Sequence, residues 1–151
     1  MNSGTQQRTA TVENVNISAE KGLLDVPMIH RFLSEEAYWS KNIPLDIVQR
    51  SIDGSLCFGV YLDTQQVGFA RVVTDHATFA YLADVFILPD FRGRGLSKQL
   101  IAWIMACPSL QGLRRWMLMT YDAHGLYEQF GFQPTTENPQ NTMFIKPFEA
   151  Y

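Results

Sequence analysis

Apolar residues along the chain recur with two periods, one typical of strands and one typical of helices. Strand-like runs occupy 10–18, 55–62, 66–74, 78–88, 114–120 and 141–146. Helical spacing occupies 22–40, 44–52, 95–106 and 122–130. In the run 78–88, odd and even positions are alike apolar apart from Asp84. This predicts a central strand covered by helices on both faces. The order of these elements predicts one α/β domain built on a mixed sheet.

The composition argues against several classes of function. The chain has 151 residues, of which 46% are hydrophobic, and a formal charge of −3. It is therefore long enough for one domain with its own core, and it offers no broad surface for nucleic acid or an anionic membrane. Residues 1–11 are polar and lack an apolar secretory core, which predicts a cytoplasmic protein, and 1–9 are expected to be flexible.

The cysteines and histidines indicate no redox or metal chemistry. Cys57 and Cys107 lie in apolar surroundings, which predicts two reduced, packed thiols. His30, His76 and His124 are far apart and follow no ligand spacing, so no metal is expected.

The segment from Val85 to Lys98, VFILPDFRGRGLSK, has the order of elements that is typical of an anion-binding site. A buried strand stops at a proline, a loop rich in Gly and Arg follows, and an amphipathic helix starts directly after it. Helix N-termini offer unpaired N–H groups and a partial positive charge. Gly93 and Gly95 allow close approach to the backbone, while Arg92, Arg94 and Lys98 add charged donors.

Two common phosphate motifs do not fit this loop. A P-loop requires GxxxxGK[ST], which the chain lacks. A dinucleotide loop requires GxGxxG, and Lys98 stands where the third glycine would be.

Two segments instead resemble the GNAT superfamily of acyl-CoA-dependent N-acetyltransferases. RGRGLS at 92–97 is similar to the family's [Q/R]-x-x-G-x-[G/A], with Ser97 at the last small position. TYDAHGLYEQFGF at 120–132 is similar to N-x-x-A-x-x-L-Y-x-x-x-G-F, with Thr120 in place of the asparagine. The resemblance implies an α/β fold (α+β by some schemes). Its central sheet would be mixed, mostly antiparallel, with six to seven strands flanked by about four helices. A single N-acetyltransferase domain would span 1–151.

The resemblance also implies where acetyl-CoA binds. The pantetheine arm would pair with the backbone of Val85, Phe86 and Ile87. The pyrophosphate would lie on the loop and first helical turn, with contacts from Arg92, Gly93, Arg94, Gly95, Leu96, Ser97 and Lys98. Thr120 occupies the position of an asparagine that often contacts the cofactor.

Tyr127 and Asp84 are the candidate catalytic residues. Tyr127 matches the family's usual general acid, and a phenol with a pKa near ~10 stays protonated at neutral pH. Its residue type alone favours a packing role. Asp84 is the one charged residue in an otherwise apolar strand. It is therefore the general base, a cap for local backbone groups, or the partner of an arginine such as Arg71.

The acceptor pocket is predicted from fewer residues. The resemblance implies a pocket lined by the first helices, the fourth strand and the last hairpin, with Phe32, Tyr38, Trp39 and Tyr81 as candidates that could equally pack in the core. The function implied is acetyl transfer to a small-molecule or peptide amine, and a homodimer stays open. The alternatives are a CoA-binding sensor without turnover and, less favoured by the charge, a nucleic-acid module using RGRG.

Overall fold

The fold is centred on one sheet of five strands. The computed structural model describes residues 14–135, 141–147 and 149–151. The strands lie in chain order across the sheet, with the first four antiparallel and the last parallel to its neighbour. They are β1 (Val15–Ser18), β2 (Leu56–Leu62), β3 (Gln65–Thr74), β4 (Phe79–Ile87) and β5 (Arg115–Leu118). The expected mixed, mostly antiparallel sheet is confirmed, and β4 lies inside it between β3 and β5 as predicted.

Four helices flank the sheet: α1 (Val26–Arg31), α2 (Leu45–Asp53), α3 (Leu96–Met105) and α4 (His124–Glu128). None of the helices in the described residues is long and apolar enough to cross a membrane. The helices form two layers. Leu100, Ile101 and Ile104 of α3 pack on one face of the sheet, while α1 and α2 pack on the other against Phe69 and Phe86.

The prediction of one helix over 22–40 is only partly right. The segment contains a 3-10 turn at Lys21–Leu23, then α1, then a π-helical turn at Phe32–Glu36. The break before α1 has a tertiary cause, because the Asp25 N–H donates to Gln66 Oε1 at 2.7 Å while the Asp25 carboxylate accepts from the Met28 N–H at 3.1 Å. These bonds make Asp25 the start of a new helix.

Asp122 does not cap α4, which corrects the prediction for 122–130. Ala123 is the N-cap residue, and its N–H donates to Thr120 Oγ1 at 3.0 Å. The Thr120 hydroxyl therefore stabilises the turn that leads into α4, and the N-cap residue makes no side-chain hydrogen bond to the helix. Gly131 ends the segment with φ of 93°, as predicted for a left-handed stop.

The prediction of six to seven strands is wrong for the described residues. The strand predicted at 10–18 begins at Val15, and 10–13 fall outside the described residues, as do 1–9. No strand forms at 141–146, where Met143, Phe144 and Ile145 are 82–93% exposed. An apolar run becomes a strand only when another strand pairs with it. None of the five described strands pairs with 141–146.

A bulge in β4 opens the sheet beside β5. The β3–β4 register passes from the pair Phe69–Phe86 to the pair Arg71–Ala83, so Asp84 and Val85 both lie opposite Ala70. Asp84 has φ of 54°, a left-handed conformation that aspartate tolerates better than most residues. The β4–β5 ladder ends at Leu82 and Leu118, and the strands separate beyond that pair.

The two cysteines differ in their surroundings and should differ in reactivity. Both are free; Cys57 is fully buried and Cys107 is half-buried. Burial raises the pKa of the Cys57 thiol to about 11, so its thiolate is scarce at neutral pH. We expect a thiol reagent to modify Cys107 in the native protein and Cys57 only after denaturation. Peptide mapping of the labelled protein checks this order, and native labelling of Cys57 ahead of Cys107 would contradict it.

Candidate active site

A cavity of about 510 Å³ lies where β4 and β5 separate. Residues of β4, the segment that follows β5 and the loop between α1 and α2 form its walls. A second cavity of about 440 Å³ lies beside it, and Thr120 and Tyr127 line both. These two residues therefore stand at the boundary between the two cavities.

The start of α3 presents free backbone N–H groups next to the end of β4. Gly93 and Gly95 have φ of 77° and 75°, and no heavy atom beyond the adjoining residues lies within 4 Å of the position that a Cβ would take on either. The Gln99 N–H donates to the Gly95 carbonyl at 3.1 Å. Leu96, Ser97 and Lys98 precede it in the first helical turn, where N–H groups have no partner within the helix. The open, left-handed glycines leave room for an anion on these groups.

The two arginines of the loop contact the protein itself. Arg92 Nε donates to the Ile87 carbonyl at 3.0 Å, which ties the loop to the end of β4. The Arg94 guanidinium lies 5.3 Å from the centre of the Phe91 ring. Lys98 is exposed on the first turn of α3. The predicted positive charge is therefore present at the loop, with Arg92 positioned by the strand that precedes it.

The end of β4, which is predicted to bind the pantetheine arm, has packed side chains and one open backbone edge. Phe86 and Ile87 are buried and pair with Phe69 and Gly68 on β3. Val85 is half-buried and lines the cavity. Because β5 ends at Leu118, no described strand pairs with the β5-facing edge of β4 at these residues.

Tyr127 combines a buried ring with a place in the cavity walls. It is 8% exposed and belongs to the core, with the Phe132 ring 5.9 Å away. Burial raises the pKa of its phenol to about 12, and Asp122 and Tyr38 add to the shift. The packing role of the ring is present in the structure, and the residue also lines both cavities. Its role as a general acid stays a prediction.

Asp84 joins two parts of the cavity wall. Its Oδ2 accepts from Arg71 Nε at 2.9 Å, and its Oδ1 accepts from Trp39 Nε1 at 2.9 Å. Arg71 also donates through Nη1 to Ser55 Oγ at 3.1 Å. The ion pair with Arg71, one of the alternatives for Asp84, is present. Its role as a base stays a prediction.

We expect Asp84→Asn to lower the free energy of unfolding by about 1–3 kcal/mol, because the largely buried Arg71 guanidinium loses its counter-charge. Asparagine tolerates the left-handed backbone, so the loss reports the charge and not the bulge. Urea unfolding measures it. Arg71→Met in the Asp84→Asn background is the control, since it removes the unpaired cation and should recover part of the stability. An unchanged unfolding midpoint for Asp84→Asn would contradict the structural role.

The candidate acceptor residues separate into two groups. Tyr38, Trp39 and Tyr81 line the 510 Å³ cavity. Phe32 does not, which corrects that prediction: it is 4% exposed, and its ring stacks on Phe86 with centroids 3.9 Å apart. It packs inward because it continues the apolar face of α1.

Sequence reasoning missed Tyr121 and Asp122 as wall residues. Both directly follow Thr120 in the second motif, and this adjacency was the available signal. In the described residues no group of three or more His, Cys, Asp or Glu side chains is arranged to hold a metal ion.

Comparison with known proteins decides the family. The family model of the acetyltransferase (GNAT) domain matches residues 53–134, more than half of the chain. The chain belongs to the GNAT family of acetyltransferases. The matched part includes the β4 bulge, the glycine loop, α3 and Tyr127.

Individual relatives agree with this membership. A protein from Xanthomonas campestris pv. campestris assigned to the GNAT acetyltransferases is 56% identical, with a TM-score of 0.85 over 88% of this chain and 93% of that one. A Gibberella zeae (strain PH-1) protein assigned to the acetyltransferases is 32% identical over 133 residues, 74% of each chain. A GNAT acetyltransferase from Elizabethkingia anophelis, solved with acetyl-CoA bound, shares the fold with a TM-score of 0.60 at 11% identity, over 80% of this chain and 76% of that one.

Proposed function

We propose that this protein, as a single domain over 1–151, transfers an acetyl group from acetyl-CoA directly to a primary amine of a small molecule or peptide. One observation carries the proposal. The strand β4 lines the cavity with its bulged residues and then leads straight into the glycine loop and the N-terminus of α3. A thioester and a diphosphate on one ligand need sites joined in this way.

The chain's own groups fit acetyl-CoA at both ends. The pantetheine arm would lie along the open edge of β4 at Val85, Phe86 and Ile87. The diphosphate would lie on the N–H groups from Gly93 to Lys98, where the left-handed glycines leave the space above the backbone open. Lys98 supplies a positive charge next to the proposed diphosphate. Because this charge needs only to be local, it is compatible with a net charge of −3 for the whole chain.

Tyr127 would act as the general acid. The neutral amine attacks the thioester carbonyl, a C–N bond forms, and the C–S bond breaks. Tyr127 donates its phenolic proton to the departing sulfur and recovers a proton from solvent. The phenol is protonated at neutral pH, and burial, which raises its pKa to about 12, keeps the donor in the correct state at higher pH as well.

Asp84 is the candidate acceptor for the proton that the amine must lose. A carboxylate can accept about four hydrogen bonds. Two are accounted for by Arg71 and Trp39. Asp84 also lines the cavity in which the amine would bind. The cytoplasmic location remains a prediction from the sequence, which leaves a homodimer open.

Two measurements test the proposal together. Acetyl-CoA should raise the melting temperature, and some member of a panel of primary amines should release free thiol from acetyl-CoA in the presence of the protein. Absence of a thermal shift at near-millimolar acetyl-CoA would contradict the proposed site. A shift without thiol release from any amine would favour the CoA-binding sensor. RNA binding that falls steeply with salt and ignores CoA would favour the nucleic-acid alternative.

A further inference from the structure

We infer that the amine acceptor is a cation with an aromatic body and no anionic group. This inference rests on the proposed acetyl transfer and names the class of its second substrate. It comes from the wall of the 510 Å³ cavity, where aromatic rings and carboxylates lie together.

Three exposed aromatic rings form one surface at this cavity. Tyr38 is the central ring: its centroid lies 5.1 Å from that of Trp39, edge to face, and 6.1 Å from that of Tyr121. The three side chains are 56%, 43% and 84% exposed, respectively. Exposed aromatic side chains that adjoin one another at a cavity commonly mark a binding surface. Their faces favour flat apolar groups and cations.

A hydrogen bond fixes this aromatic surface next to a carboxylate. Trp39 Nε1 donates to Asp84 Oδ1 at 2.9 Å, which joins the loop between α1 and α2 to the bulge in β4. A ring that stacks on Trp39 would therefore have Asp84 within reach of a short amine arm. Asp122 adds a second carboxylate to the wall.

The charges of the wall disfavour an acceptor that carries a carboxylate or a phosphate. Among the described residues that line this cavity, Arg71 is the one Lys or Arg side chain. Its guanidinium is already engaged by Asp84 and Ser55. The two carboxylates, Asp84 and Asp122, outnumber this guanidinium, and Asp84 already neutralises its charge. An anionic group on the acceptor would therefore meet net negative charge, and a desolvated charge without a counter-charge is costly.

The test compares three amines that differ in one feature each. These are 2-phenylethylamine, phenylalanine, which adds a carboxylate, and 2-cyclohexylethylamine, which replaces the aromatic ring by a saturated one. We expect kcat/KM for 2-phenylethylamine to exceed that for each of the other two at least about tenfold. An equal or higher value for either would overturn the inference.

A pair of variants connects the preference to the cavity. Tyr121→Leu removes an exposed ring from the wall and should bring the two ethylamines closer together in kcat/KM. Trp103→Leu is the matched control, because Trp103 is a 51% exposed aromatic residue on α3 that does not line the cavity, and it should keep the preference. Loss of the preference in both variants, or in neither, would contradict the role of the aromatic wall.

The inference and the proposed function fail in different ways. Thiol release with other amines but not with 2-phenylethylamine overturns the inference and leaves acetyl transfer intact. Absence of thiol release with every amine overturns both.

Discussion

Replacing Tyr127 by phenylalanine should lower kcat about 100-fold, which is the lower end of what a positioned general acid contributes. The substitution removes one oxygen from a residue that lines both cavities and leaves its ring packed against Phe132. Without the phenol, the sulfur would have to leave as an unprotonated thiolate. Steady-state kinetics with an accepted amine measures the loss.

Acetyl-CoA affinity is the internal control for this variant. The affinity should stay within about twofold of wild type, because the proposed diphosphate site lies on α3 and not on Tyr127. A variant that keeps its kcat, or that loses kcat only through weaker acetyl-CoA binding, would contradict the general-acid role.

The pH profile tests the same phenol in the wild-type protein. Since burial raises the pKa of Tyr127 to about 12, the phenol keeps its proton throughout the range in which proteins are usually assayed. We expect kcat to rise with pH as the amine loses its proton and to show no descending limb up to about pH 10. A fall in kcat between neutral pH and that point, with the protein still folded, would show that another group supplies the proton.

Replacing Ser97 by aspartate should weaken acetyl-CoA binding at least about tenfold. The new carboxylate would stand in the first turn of α3, beside the N–H groups proposed for the diphosphate, and repulsion between like charges at contact range amounts to several kcal/mol even in a partly polar setting. The same charge is favourable for the helix itself, because it lies near the positive end of the helix dipole. Binding and folding should therefore respond in opposite directions.

Ser97→Ala is the matched control for this pair. It removes the hydroxyl without adding charge and should keep the acetyl-CoA affinity within about threefold. Titration calorimetry gives the affinities, and melting temperatures without ligand report folding. If Ser97→Asp binds acetyl-CoA as well as Ser97→Ala does, the diphosphate does not lie at this helix end.

Local pattern was sufficient for the elements that carry the proposed cofactor site. The apolar spacing within 95–106 predicts α3. The run that is apolar at odd and even positions alike and stops at Pro89 predicts β4. The two left-handed glycines fall where the motif places them. These features depend on neighbours in sequence, so a sequence determines them directly.

Features that depend on distant partners could not be predicted in the same way. The helix break at Asp25 needs Gln66, and the contact between Asp84 and the aromatic wall needs Trp39, 45 residues away. The sequence leaves open whether Phe32 faces the pocket or the core, because its orientation depends on its contact with Phe86, which is distant in sequence. The run 141–146 has the composition of a strand, but composition does not supply a pairing partner.

The central claim is direct acetyl transfer from acetyl-CoA to an amine, and a balance of products tests it most directly. The protein, acetyl-CoA and an accepted amine are mixed, quenched at intervals and analysed by mass spectrometry for free CoA, acetylated amine and intact protein. Free CoA and acetylated amine should appear in equal amounts, while the protein mass stays unchanged throughout. Free CoA without acetylated amine, or an acetylated protein that forms before the product, would contradict direct transfer.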